Sequence, residues 1–83
     1  MYRIIVERKA AKEIKSLPRE ILQEVILAIE ELKLTPRPSG VKKLAGEDGW
    51  RIRLRIYRIL YTIDDKEKLV TIYRVKHRKD AYK

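Results

Sequence analysis

Arginine and apolar residues alternate in one segment of this chain, and that alternation constrains the fold more than any other feature. The segment at 50–61 reads WRIRLRIYRILY, with arginine at 51, 53 and 55 and apolar side chains at 50, 52 and 54. Successive side chains of a β-strand point to opposite faces, so a strand here would have one cationic and one apolar face. Like charges on one face repel one another, and an anion such as a phosphate backbone would relieve that repulsion. We therefore favour an anion-binding role for Arg51, Arg53 and Arg55 over a merely solvated strand face.

The composition limits the classes of protein to which the chain can belong. Eighty-three residues make one small domain, taken here as residues 1–83, and the chain contains no cysteine for disulfide or thiol chemistry. One histidine and scattered carboxylates give no metal-ligand spacing, so neither a metal nor a small-molecule cofactor is expected. No apolar run approaches the roughly 20 residues of a membrane span, so we expect a cytoplasmic protein without a membrane partner.

Positive charge is concentrated in the second part of the chain. Residues 1–34 carry seven basic and six acidic side chains, whereas residues 35–83 carry fourteen basic and six acidic ones. Nearly all of the formal net charge of +9 therefore belongs to the second part. Such a distribution indicates a mixed-charge scaffold followed by a cationic surface for an acidic partner or a nucleic acid.

Hydrophobic periodicity predicts two helices and four strands. The clearest pattern is an amphipathic helix from Pro18 to about Leu34, in which apolar residues recur at three- and four-residue spacing. Its apolar members are Ile21, Leu22, Val25, Ile26, Ile29 and Leu32. The other predicted elements are a strand at 2–6, a helix at 9–16, a loop at 41–49, and strands at 50–54, 57–63 and 69–75. The order β-α-α-β-β-β predicts an α+β domain, with two N-terminal helices packed on one face of a small antiparallel sheet.

Three further residues could carry chemistry, although each also has an ordinary structural explanation. Arg58 would share the open face of the sheet with Arg51 and Arg53, where it needs a ligand or an acidic partner. The candidate acidic partners are Glu47, Asp48 and Asp64. The single histidine, His77, is the side chain expected to titrate near neutral pH, and Tyr82 is second to last. Without further information, a surface position for His77 and a core-covering position for Tyr82 are favoured.

Four short motifs follow one another in the second part of the chain. They are Lys43-Leu44-Ala45-Gly46, Trp50-Arg51-Ile52-Arg53, Tyr57-Arg58-Ile59-Leu60-Tyr61 and His77-Arg78-Lys79-Asp80-Ala81-Tyr82. At these spacings they resemble the RelE/ParE toxin superfamily, and the resemblance covers nearly the whole chain. It implies the RelE-like fold: a strand, a helical hairpin and three further strands. RelE-type members cut mRNA in the ribosomal A site without a metal, through attack of a 2′-hydroxyl on the adjacent phosphate that leaves a cyclic phosphate.

The resemblance also implies roles for individual residues. The implied catalytic residues are Arg51, Arg53, Arg58, Arg78 and Tyr82. Arg58 would clamp the scissile phosphate, Arg78 would be a second clamp or assist the leaving group, and Tyr82 would be the base or a stacking platform. The implied RNA-binding residues are Lys42, Lys43, Arg55, His77 and Lys79, and His77 matches a histidine that is catalytic in some branches. Since arginine stays charged, the proton must be moved by Tyr82, His77, a lysine or the ribosome.

The resemblance implies partners as well as a reaction. They are a RelB-like antitoxin protein, with an acidic segment over the basic sheet face, and the ribosome with its mRNA. Two other functions stay open on the sequence. One is a ParE-type toxin that inhibits DNA gyrase without nuclease activity, and the other is a non-catalytic basic RNA- or ribosome-binding module.

One turn departs from the superfamily pattern. Where a Gly-Asp-like turn is usual between the second and third strands, this chain has Arg55 and Ile56. A positive φ angle is strained for arginine, so the hairpin is expected either to bend differently or to shift its register. A shift would alter the placement of Arg53 relative to Arg58.

Overall fold

The computed structural model describes residues 1–46 and 48–79, and over these residues it contains two helices and five strands. In chain order they are β1 (Arg3–Val6), α1 (Arg8–Lys15), α2 (Arg19–Glu31), β2 (Lys42–Lys43), β3 (Gly49–Leu54), β4 (Tyr57–Asp64) and β5 (Leu69–His77). The α+β fold with a helical hairpin after the first strand is confirmed. Strand β2 is an addition, because the sequence predicted a loop there.

The five strands form one sheet in the order β1-β5-β4-β3-β2. Strands β2 to β5 pair antiparallel, as predicted, whereas β1 lies parallel to β5 with Ile4 opposite Val70. The sheet is therefore mixed, and the prediction of an antiparallel sheet does not hold at this edge. Pairing of β1 with β5 joins segments far apart in the chain, and local hydrophobic periodicity does not encode such a pairing.

Both helices contribute to one core against the sheet. Ala10 of α1 and Val25, Ile29 and Leu32 of the α2 region are buried together with side chains from β4 and β5. The sheet residues are Ile59, Tyr61, Val70, Ile72 and Val75. We call the sheet face that carries these five residues the inner face, and the opposite face the outer face. The outer face lacks a covering helix in the described part of the chain.

Helix α2 is shorter than predicted and less fully buried along its apolar stripe. It begins after Pro18, ends at Glu31, and continues as single turns in which Leu34 N–H donates to the Glu31 carbonyl at 3.1 Å. Ile26, predicted to face the core, is 47% exposed because the stripe is wider than the surface that the sheet covers. None of the described helices is long and apolar enough to cross a membrane.

A β-bulge in β5 decides which side chains share a face. Leu60 of β4 lies opposite Arg74, whereas Tyr61 lies opposite Ile72, so Tyr73 is an extra residue in β5. Val75 after the bulge is buried on the inner face, as Ile72 is before it. Because side chains alternate along a strand, the residue after Val75, Lys76, lies on the outer face.

A polar cluster joins the start of β1, the segment after α2 and the β4–β5 turn. Arg37 donates from both terminal nitrogens to the Asp65 carboxylate, at 3.2 and 2.8 Å, and the Tyr2 hydroxyl donates to the same carboxylate at 2.6 Å. These hydrogen bonds, first from Arg37 and then from Tyr2, lower the pKa of Asp65 to about 2. Arg37 also lies 5.0 Å over the Trp50 ring.

This cluster predicts a loss of stability in acid. The pKa of an aspartate in an unfolded chain is about 3.9. The contribution of Asp65 to stability is therefore fully present above about pH 4 and is lost as the pH falls toward 2. Urea unfolding at about pH 5 and about pH 2.5 should show a smaller decrease in unfolding free energy for Asp65→Asn than for the unsubstituted protein. Glu31→Gln, an exposed substitution on α2, is the matched control. Equal decreases for all three proteins would contradict the assignment.

Candidate nucleic-acid interface

Three cationic residues form a row across the outer face. The register places Arg53 of β3 opposite Arg58 of β4, and Arg58 opposite Lys76 of β5. Their chain neighbours Ile59 and Val75 are buried on the inner face, so alternation places the three basic residues on the outer face. Paired residues of antiparallel strands have Cβ atoms about 4.5–5.5 Å apart, close enough for neighbours to contact one phosphate group. We call Arg53, Arg58 and Lys76 the cationic row.

The β3–β4 hairpin holds this row without a shift of register. Arg55 and Ile56 form a two-residue turn between Leu54 and Tyr57, which pair directly. Arg55 has a φ of 56°, the left-handed conformation that is uncommon outside glycine. Its Nε donates to a carboxylate oxygen of Glu24 in α2 at 2.7 Å. The turn therefore adopts the strained angle, and the predicted RNA-binding residue Arg55 is ion-paired to the helical hairpin.

A second basic group lies beside the cationic row, toward the β2 edge. Lys42 pairs with Arg51 in the register, and both line a pocket of about 190 Å³ together with Arg53 and Gly40. Within the described residues, the three basic side chains of this pocket make no ion pair with a carboxylate. The only acidic residue of β3, β4 and β5 is Asp64, at the far end of β4. This part of the outer face therefore carries uncompensated positive charge.

Arg58, at the centre of the cationic row, is buried, and no carboxylate of the described residues pairs with it. It is 2% exposed, its Nη1 donates to the Tyr57 carbonyl at 3.3 Å, and its Nε has no hydrogen-bond partner in the described part of the structure. Neither Asp48 nor Asp64 is paired with it, and the third predicted partner, Glu47, lies outside the described residues. Burial of a guanidinium without a carboxylate partner costs free energy, and an anionic ligand would reduce that cost.

The two adjacent lysines of β2 lie on opposite faces of the sheet. Lys42 pairs with Arg51, whereas Lys43 pairs with Trp50 and its Nζ lies 5.5 Å from the centre of the Trp50 ring. Arg37 contacts the same ring. The structure thus brings Lys42 to the outer face and places Lys43 beside a tryptophan of the inner face.

His77 lies away from the cationic row. It pairs with Tyr57 at the end of β5, and their rings meet edge to face at 5.5 Å. The His77 Nδ1 accepts a hydrogen bond from the Lys79 backbone N–H at 3.1 Å. Because alternation from Val75 and Ile59 places His77 and Tyr57 on the inner-face side, the histidine does not join the arginines of the outer face.

The start of the C-terminal segment lies next to the cationic row. The Arg78 backbone N–H donates to the Ile56 carbonyl, which continues the β4–β5 ladder by one residue and brings Arg78 beside the β3–β4 turn. Arg78 and Lys79 are exposed. Tyr82, the predicted base, lies outside the described residues, so its position relative to Arg58 stays a prediction.

Sequence reasoning missed two basic residues of β5. Lys76 is in the cationic row, although the predicted strand ended one residue before it. Arg74 lies opposite Leu60, but Glu13 of α1 binds it with two hydrogen bonds to its Nε and one of 2.8 Å to its Nη2. The sequence signal for the bulge is the spacing of the apolar residues Val70, Ile72 and Val75, which departs from strict alternation.

The described residues contain no group of three or more His, Cys, Asp or Glu side chains arranged to hold a metal ion. The outer face presents guanidinium and ammonium groups from Arg51, Arg53, Arg58 and Lys76. Such groups bind and orient oxyanions, and arginine does so with paired hydrogen bonds.

Comparison with known proteins identifies relatives over the full domain. Residues 4–82 match the family described as ParE toxin of the type II toxin–antitoxin system parDE. The chain is 35% identical to the toxin RelG of Mycobacterium tuberculosis, over 99% of this chain and 97% of RelG.

Solved structures give the same result for the fold. The archaeal RelE–RelB complex from Pyrococcus horikoshii OT3 contains a chain that is 30% identical, with a TM-score of 0.85 over 93% of this chain and 94% of that one. A chain of the intact E. coli RelBE toxin–antitoxin complex is 26% identical, with a TM-score of 0.81 over 93% of this chain and 96% of that one.

Proposed function

The chain belongs to the RelE/ParE superfamily of toxins from type II toxin–antitoxin systems, and on this premise we propose that it is a RelE-type endoribonuclease. In this proposal it enters the A site of the ribosome in the cytoplasm and cuts the mRNA there, which stops translation. The cut follows attack of a ribose 2′-hydroxyl on the adjacent phosphate. The proposal requires neither a metal nor another cofactor.

The observation that carries this proposal is the cationic row with Arg58 at its centre. Cleavage by a 2′-hydroxyl places extra negative charge on the phosphate, and preorganised cations lower the energy of that state. Arg53 and Arg58 are adjacent on neighbouring strands, and Arg58 lacks a carboxylate partner in the described part of the chain. A phosphate is the ligand that would satisfy this arrangement.

The pocket lined by Lys42, Arg51 and Arg53 extends the positive surface along β3. Side chains two residues apart on one face of a strand are separated by about 6.7 Å, so Arg51 and Arg53 can contact different phosphates of one RNA strand. We assign Lys42 and Arg51 to holding the RNA beside the scissile position. Arg78 and Lys79 would hold it at the opposite end of the row.

Arg58 must become accessible for this chemistry. Since Arg58 is 2% exposed, a phosphate can reach its guanidinium only when the atoms that cover it move aside. The free energy gained by pairing the buried charge offsets part of the cost of that movement. We therefore expect the outer face to rearrange when RNA binds.

The predicted protein partner is a RelB-like antitoxin. The similar P. horikoshii and E. coli proteins were each solved in complex with an antitoxin. We propose that the antitoxin of this chain places acidic residues over the cationic row, so that it blocks RNA while charge attraction accelerates association. Exposed apolar residues, among them Met1, Ile5 and Leu34, are available as additional contacts.

A reconstituted translation reaction tests the proposed function. Purified toxin is added to ribosomes programmed with a defined mRNA, and the 5′ ends of the products are mapped with ribosomes and without them. Cuts within the A-site codon that depend on ribosomes, and that stop when antitoxin is added, are expected. Intact mRNA with gyrase-linked DNA breaks would overturn the proposal in favour of a ParE-type activity. Stalling without cleavage would overturn it in favour of a non-catalytic ribosome-binding protein.

A further inference from the structure

We propose that Lys76 is the general acid that protonates the leaving 5′-oxygen, an assignment that rests on the ribonuclease function proposed above. Lys76 lies directly opposite Arg58 on the strand that flanks the centre of the cationic row, and Arg53 lies on the other side. A phosphate bound to Arg58 is therefore between a guanidinium on β3 and an ammonium on β5. Lys76 is partly exposed, so its ammonium is accessible to RNA.

The position of Lys76 matters because a proton must reach the leaving oxygen. The arginines of the outer face stabilise negative charge well but keep their protons at any relevant pH, so they are poor acids. His77, the usual candidate for proton transfer, points to the inner-face side, where it contacts Tyr57. Lys42 pairs with Arg51 at the β2 edge, and two strands, β3 and β4, separate its strand from β5. Of the two residues that pair with Arg58 across the sheet, Arg53 and Lys76, Lys76 is thus the one that can release a proton.

In the proposed step, one proton leaves the attacking 2′-oxygen and another reaches the leaving 5′-oxygen. The ribose 2′-oxygen forms a bond to phosphorus while its proton passes to a base, which is water or the predicted base Tyr82. The bond between phosphorus and the 5′-oxygen breaks, and its electron pair stays on that oxygen. Lys76 transfers one proton to the oxygen, becomes a neutral amine, and regains its proton from water. The products are a 2′,3′-cyclic phosphate and a free 5′-hydroxyl.

A substrate whose leaving group needs no proton tests whether Lys76 acts as a general acid or only binds the phosphate. Ribosomes are programmed with mRNA that carries either the natural 5′-oxygen or a bridging 5′-sulfur at the scissile position, because a thiolate leaves without an acid. Lys76→Met should cut the oxygen substrate at least about 10²-fold more slowly than the unsubstituted toxin, and the sulfur substrate only a few-fold more slowly. Lys76→Arg keeps the charge but not the acidity, so it should show the same pattern.

Two controls make the outcome specific. Lys66→Met changes an exposed lysine in the β4–β5 turn and should cut both substrates at the normal rate. Thermal unfolding of each variant checks that the fold is retained. An equal loss on both substrates, or full activity of Lys76→Arg on the oxygen substrate, would overturn the role of Lys76 alone. If the unsubstituted toxin cuts neither substrate, the proposed ribonuclease function fails and this inference fails with it.

Discussion

Replacement of Arg58 by methionine is expected to slow mRNA cleavage by about 10²–10³-fold without lowering the stability of the domain. The activity should fall because the substitution removes the central positive charge of the cationic row. Stability should stay level or rise by about 1 kcal/mol, because methionine fills a similar space and removes a buried charge that no carboxylate of the described residues pairs with. Single-turnover cleavage on programmed ribosomes and urea unfolding measure the two quantities on the same samples.

Two further variants test why Arg58→Met is expected to slow cleavage without lowering stability. Arg58→Lys keeps a charge but not the paired donors of a guanidinium. Its cleavage rate should therefore lie between that of Arg58→Met and that of the unsubstituted toxin. Arg19→Met removes an exposed arginine from the start of α2 and should leave both cleavage and stability unchanged. A fall of more than about 2 kcal/mol in the unfolding free energy of Arg58→Met would show instead that Arg58 has a structural partner.

The sequence predicted the outer-face residues whose placement depends on strand alternation alone, namely Arg51 and Arg53. In β3 the arginines at 51 and 53 alternate with apolar residues, and a strand has no other way to bury one set and expose the other. The placement of Arg58 required one further step, the length of the turn. The structure shows that Arg55 tolerates a positive φ, so the register is that of a two-residue hairpin.

Contacts between distant segments account for the ion pairs of Arg55 and Arg74, which the sequence did not predict. Arg55 and Arg74 are as basic as Arg53, but carboxylates of the helical hairpin, Glu24 and Glu13, bind them. No local pattern identifies such ion pairs, because the partners are distant in the sequence. The same is true of the parallel pairing of β1 with β5.

The bulge in β5 determines whether Lys76 or His77 lies on the outer face. Strict alternation from Ile72 would place residues 74 and 76 on the inner face and residue 77 on the outer face. The extra residue at Tyr73 reverses this assignment, so that Val75 is buried and Lys76 is next to Arg58. One inserted residue in a strand therefore decides which protonatable side chain lies beside the candidate phosphate site.

Glu13 stabilises the strand that carries this arrangement. Beyond Ile72, the edge of β5 is no longer paired with β1, and the Glu13 carboxylate accepts a hydrogen bond from the Val75 backbone N–H at 2.8 Å. It also binds Arg74, and both side chains of this ion pair are about one quarter exposed. Burial raises the pKa of Glu13, but the hydrogen bonds from Arg74 and Val75 outweigh it and lower the pKa overall. The carboxylate thus occupies a position that a neighbouring strand would otherwise fill.

Replacement of Glu13 by alanine is therefore expected to lower the unfolding free energy by about 2–3 kcal/mol, because it removes the carboxylate that binds the partly buried Arg74 guanidinium and accepts the Val75 backbone N–H. Cleavage should also slow, because Lys76 follows Val75 directly and a loosened strand edge no longer fixes it beside Arg58. Glu13→Gln keeps an acceptor for Val75 and should lose less stability, whereas Glu30→Ala, which breaks an exposed ion pair with Lys33, should cost less than about 0.5 kcal/mol. Urea unfolding and single-turnover cleavage measure both effects. If Glu13→Ala costs no more than Glu30→Ala, the carboxylate does not hold β5 in place, and the position of Lys76 must depend on the sheet alone.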